Sequence, residues 1–182
     1  MRFSAKIAAL TVTTMILTLV LASAVYGATA SDPVTVSCTV DNFISISSPV
    51  NLTMANIVGT GGSTSGNVIW SVTTNNSTGY KLEVYAGGAP ALTKGADSFA
   101  DYALIPAAWS VPAANSAFGF SYDAGLTYRG FNGVTPVQVL SYATPVSANP
   151  TTIMFKAEVG TAKLQTSGVY TAAITATATT LP

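Results

Sequence analysis

Histidine is absent from this sequence, and charged residues are scarce. Of the 182 residues only 8% are charged, compared with about 25% in ordinary soluble domains, and seven basic residues balance seven acidic ones. Without imidazole, Ser-His-Asp triads, Cys-His dyads and His-ligated zinc sites are excluded. Electrostatic binding of nucleic acid is disfavoured as well, because neutralising phosphates requires a surplus of lysine and arginine.

Cysteine occurs only once, as Cys38, so the chain has no disulfide framework of its own. The thiol lies in residues 34–40, where apolar and hydroxyl side chains alternate, and it shares the parity of Val36 and Val40. This alternation predicts a strand with one apolar face, which favours a buried thiol. The alternative for a lone cysteine in an exported protein is a cross-link between molecules.

Long apolar runs are confined to the N-terminus. Arg2 and Lys6 precede an uncharged apolar stretch at about 7–21, and small residues follow up to position 30. These are the three parts of a secretory signal. We therefore predict a signal peptide over residues 1–30, cleaved between 24 and 30, and a secreted protein that is extracellular or at the cell surface. An uncleaved signal is the alternative, and it is the only expected contact with a membrane.

The remainder of the chain is rich in β-branched residues, alternating apolar positions and turn residues. This pattern predicts an all-β protein, a single β-sandwich of jelly-roll or immunoglobulin-like type over residues 31–182, after an N-terminal signal helix. The predicted strands are at 34–40, 43–47, 67–74, 80–85, 118–122, 152–159 and 169–179.

The clearest local prediction is a hairpin. Residues 67–74 and 80–85 flank the turn cluster 75–79, which is rich in asparagine and ends in glycine. The second strand should bury Tyr80, Leu82 and Val84 on one face and expose Lys81 and Glu83 on the other.

The middle of the chain is predicted to be a long irregular excursion at about 86–116, with one helical turn near 97–102. Asp97 and Asp101 lie four residues apart there and form a candidate calcium site, because calcium prefers carboxylate oxygens. Capping of the helical turn by Asp97 is the simpler account of that residue.

Catalytic groups are few. Glu83 and Glu158 are both expected on solvent faces of strands, and nothing places any two carboxylates opposite each other across a cleft. Neither a nucleophile motif nor a phosphate-binding loop is present. We therefore predict no enzymatic activity, no catalytic residue and no cofactor.

Two stretches resemble WxL-domain surface proteins. Residues 71–84 resemble the strand-turn-strand that holds the family's first Trp-x-Leu motif, with Tyr80 and Leu82 at its two positions. Residues 167–179 resemble the family's terminal strand, with alanines at the positions of the second motif. The resemblance implies a secreted all-β protein that attaches non-covalently to the cell wall, and it makes Tyr80 and Leu82 candidate contacts for a glycan or a partner.

The two tryptophans differ in context. Trp70 follows Ile69 in a predicted central strand, which favours a core position. Trp109 lies in the excursion, where a flat ring suits stacking on a sugar, and it is a further candidate contact for a glycan or a partner.

The stretches 31–40 and 168–179 at the two ends of the predicted domain are rich in threonine, valine and alanine and nearly free of charge. They lack the lysines that usually block pairing at a sheet edge, so a neighbouring subunit could add a strand there. We favour the alternative that both pair within their own sheets, because a domain of about 150 residues needs them for its core.

These features predict a non-enzymatic, secreted cell-surface or extracellular structural protein, such as a coat or fibre subunit. The alternative is a module that binds the cell wall or another glycan. The expected partners are a cell-wall polymer or other surface proteins, with self-association through edge strands left open and no nucleic-acid partner.

Overall fold

The computed structural model describes residues 29–47 and 49–182. The predicted signal peptide lies outside the described residues except for its last two positions. The chain divides into two units, residues 1–40 and residues 41–182. In the described part, no helix has the length and apolar character needed to cross a membrane.

The all-β prediction is confirmed, because the described residues form ten strands and no helix. The strands are β1 (Ile44–Ile46), β2 (Ser63–Thr74), β3 (Tyr80–Ala86), β4 (Thr93–Lys94), β5 (Asp97–Ser98), β6 (Ala100–Asp101), β7 (Ser116–Ser121), β8 (Val137–Tyr142), β9 (Val146–Val159) and β10 (Ile174–Thr180). Five form a sheet in the order β1-β2-β9-β7-β6, three form a sheet in the order β10-β3-β8, and β4 pairs with β5. The pairings are antiparallel, except that β6 runs parallel to β7.

The two larger sheets pack together on one hydrophobic core. The three-stranded sheet buries Tyr80, Leu82 and Val84 completely, as the alternation in the sequence predicted. From the five-stranded sheet, Trp70 enters the same core and is only 7% exposed, which confirms its predicted position. Four stacked phenylalanines extend this core. They are Phe118 and Phe120 on β7, Phe155 on β9, and Phe131 between β7 and β8.

The predicted hairpin is wrong, because β2 and β3 belong to different sheets. Residues 75–79 cross between the sheets instead of returning the chain beside itself. Asn76 is 5% exposed in this crossover, and its side-chain amide donates to the carbonyls of Gly79 and Leu181, each at 2.8 Å. Asparagine and glycine favour tight turns and sheet crossovers alike, so their presence did not distinguish the two.

The predicted strand at 34–40 is not formed. We call residues 29–40 the N-terminal arm, and every one of its residues is exposed. The prediction of a buried thiol is also wrong, since Cys38 is exposed. A strand buries one face only when another strand or layer covers it, and the structure assigns no residue of the arm to a strand. The neighbouring prediction at 43–47 is confirmed in part as β1.

The excursion at 86–116 contains the short strands β4, β5 and β6 in place of the predicted helical turn. β6 adds to the edge of the five-stranded sheet beside β7, and the Tyr102 amide continues this pairing by donating to the Phe118 carbonyl at 2.8 Å. All six residues of β7 are buried. The strand predicted at 118–122 is thus confirmed in part as β7.

Candidate functional site

The strand β10 leaves one of its edges open. The Leu181 amide donates to the Gly79 carbonyl at 3.0 Å and continues the ladder that the odd-numbered residues of β10 form with β3. Main-chain groups alternate in direction along an antiparallel strand, so those of the even-numbered residues point away from β3. These residues are Ile174, Ala176, Ala178 and Thr180. Within the described chain, none of their amides or carbonyls has a hydrogen-bond partner on that side.

The side chains of β10 are small and uncharged. On the inner face, Ile174, Ala176 and Ala178 pack partly buried against the core. On the outer face, Thr175, Thr177 and Thr179 are exposed. Edge strands usually carry a lysine, a proline or a bulge that prevents further pairing. The seven residues of β10 include none of these, and their register with β3 is unbroken.

The other outermost strands of the two larger sheets are shorter than β10, and one of them is bulged. The strands β1 and β6 span three and two residues. The pairing of β8 with β3 shifts register between Leu82 and Glu83, which marks a bulge. Among the outermost strands of the two larger sheets, β10 is therefore the longest, and its register is unbroken.

A groove of about 560 Å³ lies between β8 and β9. β8 is the outermost strand of the three-stranded sheet at the end opposite β10. Tyr122 and Tyr142 line it and are 37% and 39% exposed. Asn149 lines it as well and donates to the Tyr80 hydroxyl at 2.9 Å. The Thr151 hydroxyl on its wall is buried and has no hydrogen-bond partner among the described residues. The groove therefore combines two half-exposed rings with amide and hydroxyl groups.

The loop beside this groove is organised by Asp123, which the sequence did not single out. Its carboxylate accepts hydrogen bonds from the Ser121 hydroxyl at 2.7 Å and from the Thr127 amide at 3.0 Å. These bonds from Ser121 and Thr127 lower the pKa of Asp123 to about 2. Ala124 and Gly125 follow with φ angles of 61° and 84°, so the chain turns tightly here. The spacing Ser-x-Asp-x-Gly-x-Thr was the available signal, since such side chains bond their own backbone in turns.

Trp109 lies against the outer face of β9 and is half-buried. It stacks on Tyr102 with ring centroids 4.5 Å apart, and the Lys156 ammonium lies 5.0 Å from its ring centroid. The indole N–H donates to the Glu158 carboxylate at 2.7 Å. Tyr128 meets the same ring edge-on, and burial, followed by the charge of Asp123, raises the pKa of its phenol. Trp109 thus attaches the excursion to the sheet, and Tyr102, Lys156 and Tyr128 already contact its ring.

Tyr80 and Leu82 lie in the core instead of on a contact surface. Both are completely buried, and the Tyr80 ring packs against Tyr142 with centroids 6.2 Å apart. The role expected from the WxL resemblance requires an exposed side chain, which neither position offers. The resemblance at this motif is therefore accounted for by packing.

Asp97 and Asp101, the candidate calcium ligands, each have a partner of their own in the structure. Asp97 forms an ion pair with Lys94 at 3.3 Å, and it belongs to a strand where the sequence suggested a helix cap. Asp101 accepts a hydrogen bond from the Ala91 amide at 3.1 Å, while burial raises the pKa of its carboxyl. In the described part of the chain, no group of three candidate metal ligands occurs.

No family model matches the chain, and no curated protein is significantly similar to it in sequence.

Proposed function

We propose that this chain is a non-enzymatic, secreted structural protein of the cell surface or extracellular space, with the β-sandwich architecture of a jelly-roll or immunoglobulin-like domain. Its subunits associate through a sheet edge. The observation that carries the proposal is the open edge of β10. A strand added there would exchange water for main-chain hydrogen bonds and would withdraw Ile174, Ala176 and Ala178 from solvent.

Replacing Ala178 with proline tests whether the open edge of β10 mediates assembly. The Ala178 amide points away from β3, so proline takes one donor from the open edge without breaking the β10–β3 ladder. We expect the exported wild-type protein to form oligomers or fibres, and Ala178→Pro to require at least about tenfold more protein to assemble. Sedimentation velocity and electron microscopy measure this. Ala178→Ser keeps the amide and should assemble like wild type.

Circular dichroism and thermal unfolding establish whether Ala178→Pro retains the fold. Thr180→Pro, at the end of the same edge, is the substitute if it does not. Wild-type protein that stays monomeric at the highest soluble concentration would rule out assembly. Equal assembly by wild type and a folded proline variant would show that another surface is used.

A second candidate function, binding of a cell-wall glycan, is favoured by the groove between β8 and β9. Sugars are commonly held by stacking on aromatic rings and by hydrogen bonds to amides and hydroxyls. Tyr122, Tyr142 and Asn149 provide these groups on its walls.

Co-sedimentation with isolated peptidoglycan tests this second candidate. We expect Tyr122→Ala to weaken binding by at least about tenfold, because it removes a half-exposed ring from the groove. Phe43→Ala is the matched control, since that ring is 53% exposed and lies outside the groove. Binding that is absent in the wild type, or that is weakened equally in Phe43→Ala, would refute the groove as the glycan site.

A further inference from the structure

The N-terminal arm has the alternating pattern of a strand, yet the structure assigns none of its residues to a strand. In residues 34–40, valines and the cysteine occupy even positions, and hydroxyl residues occupy odd positions. Val34, Val36 and Val40 are 81%, 89% and 79% exposed. Regularly spaced apolar side chains left in water favour burial against another surface.

The open edge of β10 has the same pattern. Its even positions are apolar up to Ala178 and its odd positions are threonine, and neither stretch contains a charged residue. Both are seven residues long, and Asp32 and Asp41 flank the arm stretch with charges on either side. The two stretches therefore match in length, in polarity and in the alternation that determines which side chains face the core.

We propose that residues 34–40 of one copy add as a strand to the open edge of β10 in a second copy. The inference rests on the proposed function and identifies both the partner and the two strands that meet. Because every chain carries one such arm and one such edge, the contact is head to tail. Head-to-tail contacts that do not close on themselves generate filaments.

An antiparallel arrangement, which gives the more stable ladder, fixes the expected register. With the two seven-residue stretches fully overlapped, Cys38 lies opposite Ala176 and Val36 lies opposite Ala178. The arm's apolar side chains then extend the inner face that Ile174 and its neighbours already line. On the other face, the hydroxyl residues of the arm meet the threonines of β10, a favourable cross-strand pairing.

The natural cysteine provides a test of this register. In Ala176→Cys, the new thiol should lie opposite Cys38 of a neighbouring copy, and mild oxidation of the assembled protein should join them. Non-reducing gels and peptide mapping by mass spectrometry identify the Cys38–176 link. Thr177→Cys is the matched control, because its side chain lies on the outer face. We expect at least about tenfold more of the specific link from Ala176→Cys than from the control.

The outcomes separate this inference from the proposed function. Linkage through Ala178→Cys in preference to Ala176→Cys would reverse the strand direction and overturn the register. Equal linkage in the control, or linkage within a single chain, would overturn the arm-to-edge contact between copies. Assembly in which neither the Cys38–176 link nor the Cys38–178 link forms would refute the inference and leave the proposed function standing. Protein that never assembles would refute both.

A charge in the arm provides an independent test. Val36→Lys changes a side chain that is 89% exposed, so the fold itself should be unaffected. We expect assembly to need at least about tenfold more protein, because the lysine would have to enter the inner face. Val50→Lys is the matched control, since Val50 is 90% exposed and lies outside the arm. Equal assembly by the two variants would overturn the inference.

Discussion

At the scale of single residues, the polar side chains of this fold mostly bond to its own backbone. Asp123 shapes the loop beside the groove, and Trp109 attaches the excursion to β9 through Glu158. Both are residues whose chemistry would suit a ligand but whose hydrogen bonds are already made within the fold. Glu83 is similar: it faces outward as predicted and forms an ion pair with Lys81 at 3.0 Å.

Replacing Asp123 with asparagine tests whether its carboxylate stabilises the fold through the loop beside the groove. A carboxyl whose pKa is lower in the folded than in the unfolded chain stabilises the fold above the unfolded value of about 4 and loses that contribution as the pH falls towards about 2. We expect the melting temperature of wild type to fall more steeply between pH 4 and pH 2 than that of the variant, and to exceed it at pH 7. Asp32→Asn, in the exposed arm, should follow wild type. Parallel curves for wild type and Asp123→Asn would contradict the assignment.

At the scale of elements, the crossover between β2 and β3 decides how the two sheets are joined. Gly79 has a φ of 80°, and a Cβ there would stand 1.8 Å from the Tyr142 carbonyl oxygen, so only glycine fits. Asn76 joins this turn to the end of β10 through the Leu181 carbonyl. The crossover therefore holds together three segments of the three-stranded sheet.

Asn76→Asp tests the crossover. A carboxylate of the same shape cannot donate to the Gly79 and Leu181 carbonyls, so two hydrogen bonds are lost and a buried charge faces the carbonyl oxygens instead. We expect the free energy of unfolding to fall by about 1–3 kcal/mol or more, measured by urea denaturation. Asn56→Asp, at an exposed position, should change it by no more than about 0.5 kcal/mol. A loss at Asn76 no larger than at Asn56 would show that the crossover does not depend on this amide.

At the scale of the whole molecule, the scarcity of charge and the open edge of β10 both bear on whether copies of the chain associate. Charged side chains protect sheet edges and keep proteins apart, and this chain has 8% charged residues, with none on β10. The outermost strands of the five-stranded sheet, β1 and β6, span three and two residues, whereas the three-stranded sheet ends in the seven-residue β10. The association we propose therefore uses the β10 edge of the three-stranded sheet.

Export, the cell-surface location and the absence of enzymatic activity remain predictions from the sequence. Attachment to a cell wall, which the WxL resemblance implies, is also a prediction from the sequence. That resemblance covers the two ends of the predicted domain. The signal peptide on which export rests lies at residues 1–30, almost entirely outside the described residues.

Strand content, the buried face of β3 and the core position of Trp70 followed from the sequence by itself. In a strand, the direction of a side chain depends only on its parity, which is a local property. Whether β2 and β3 share a sheet, and which strand ends the three-stranded sheet, were decided only by the tertiary structure. These depend on which distant segments meet across the core, and strand patterns are too alike to specify their own neighbours.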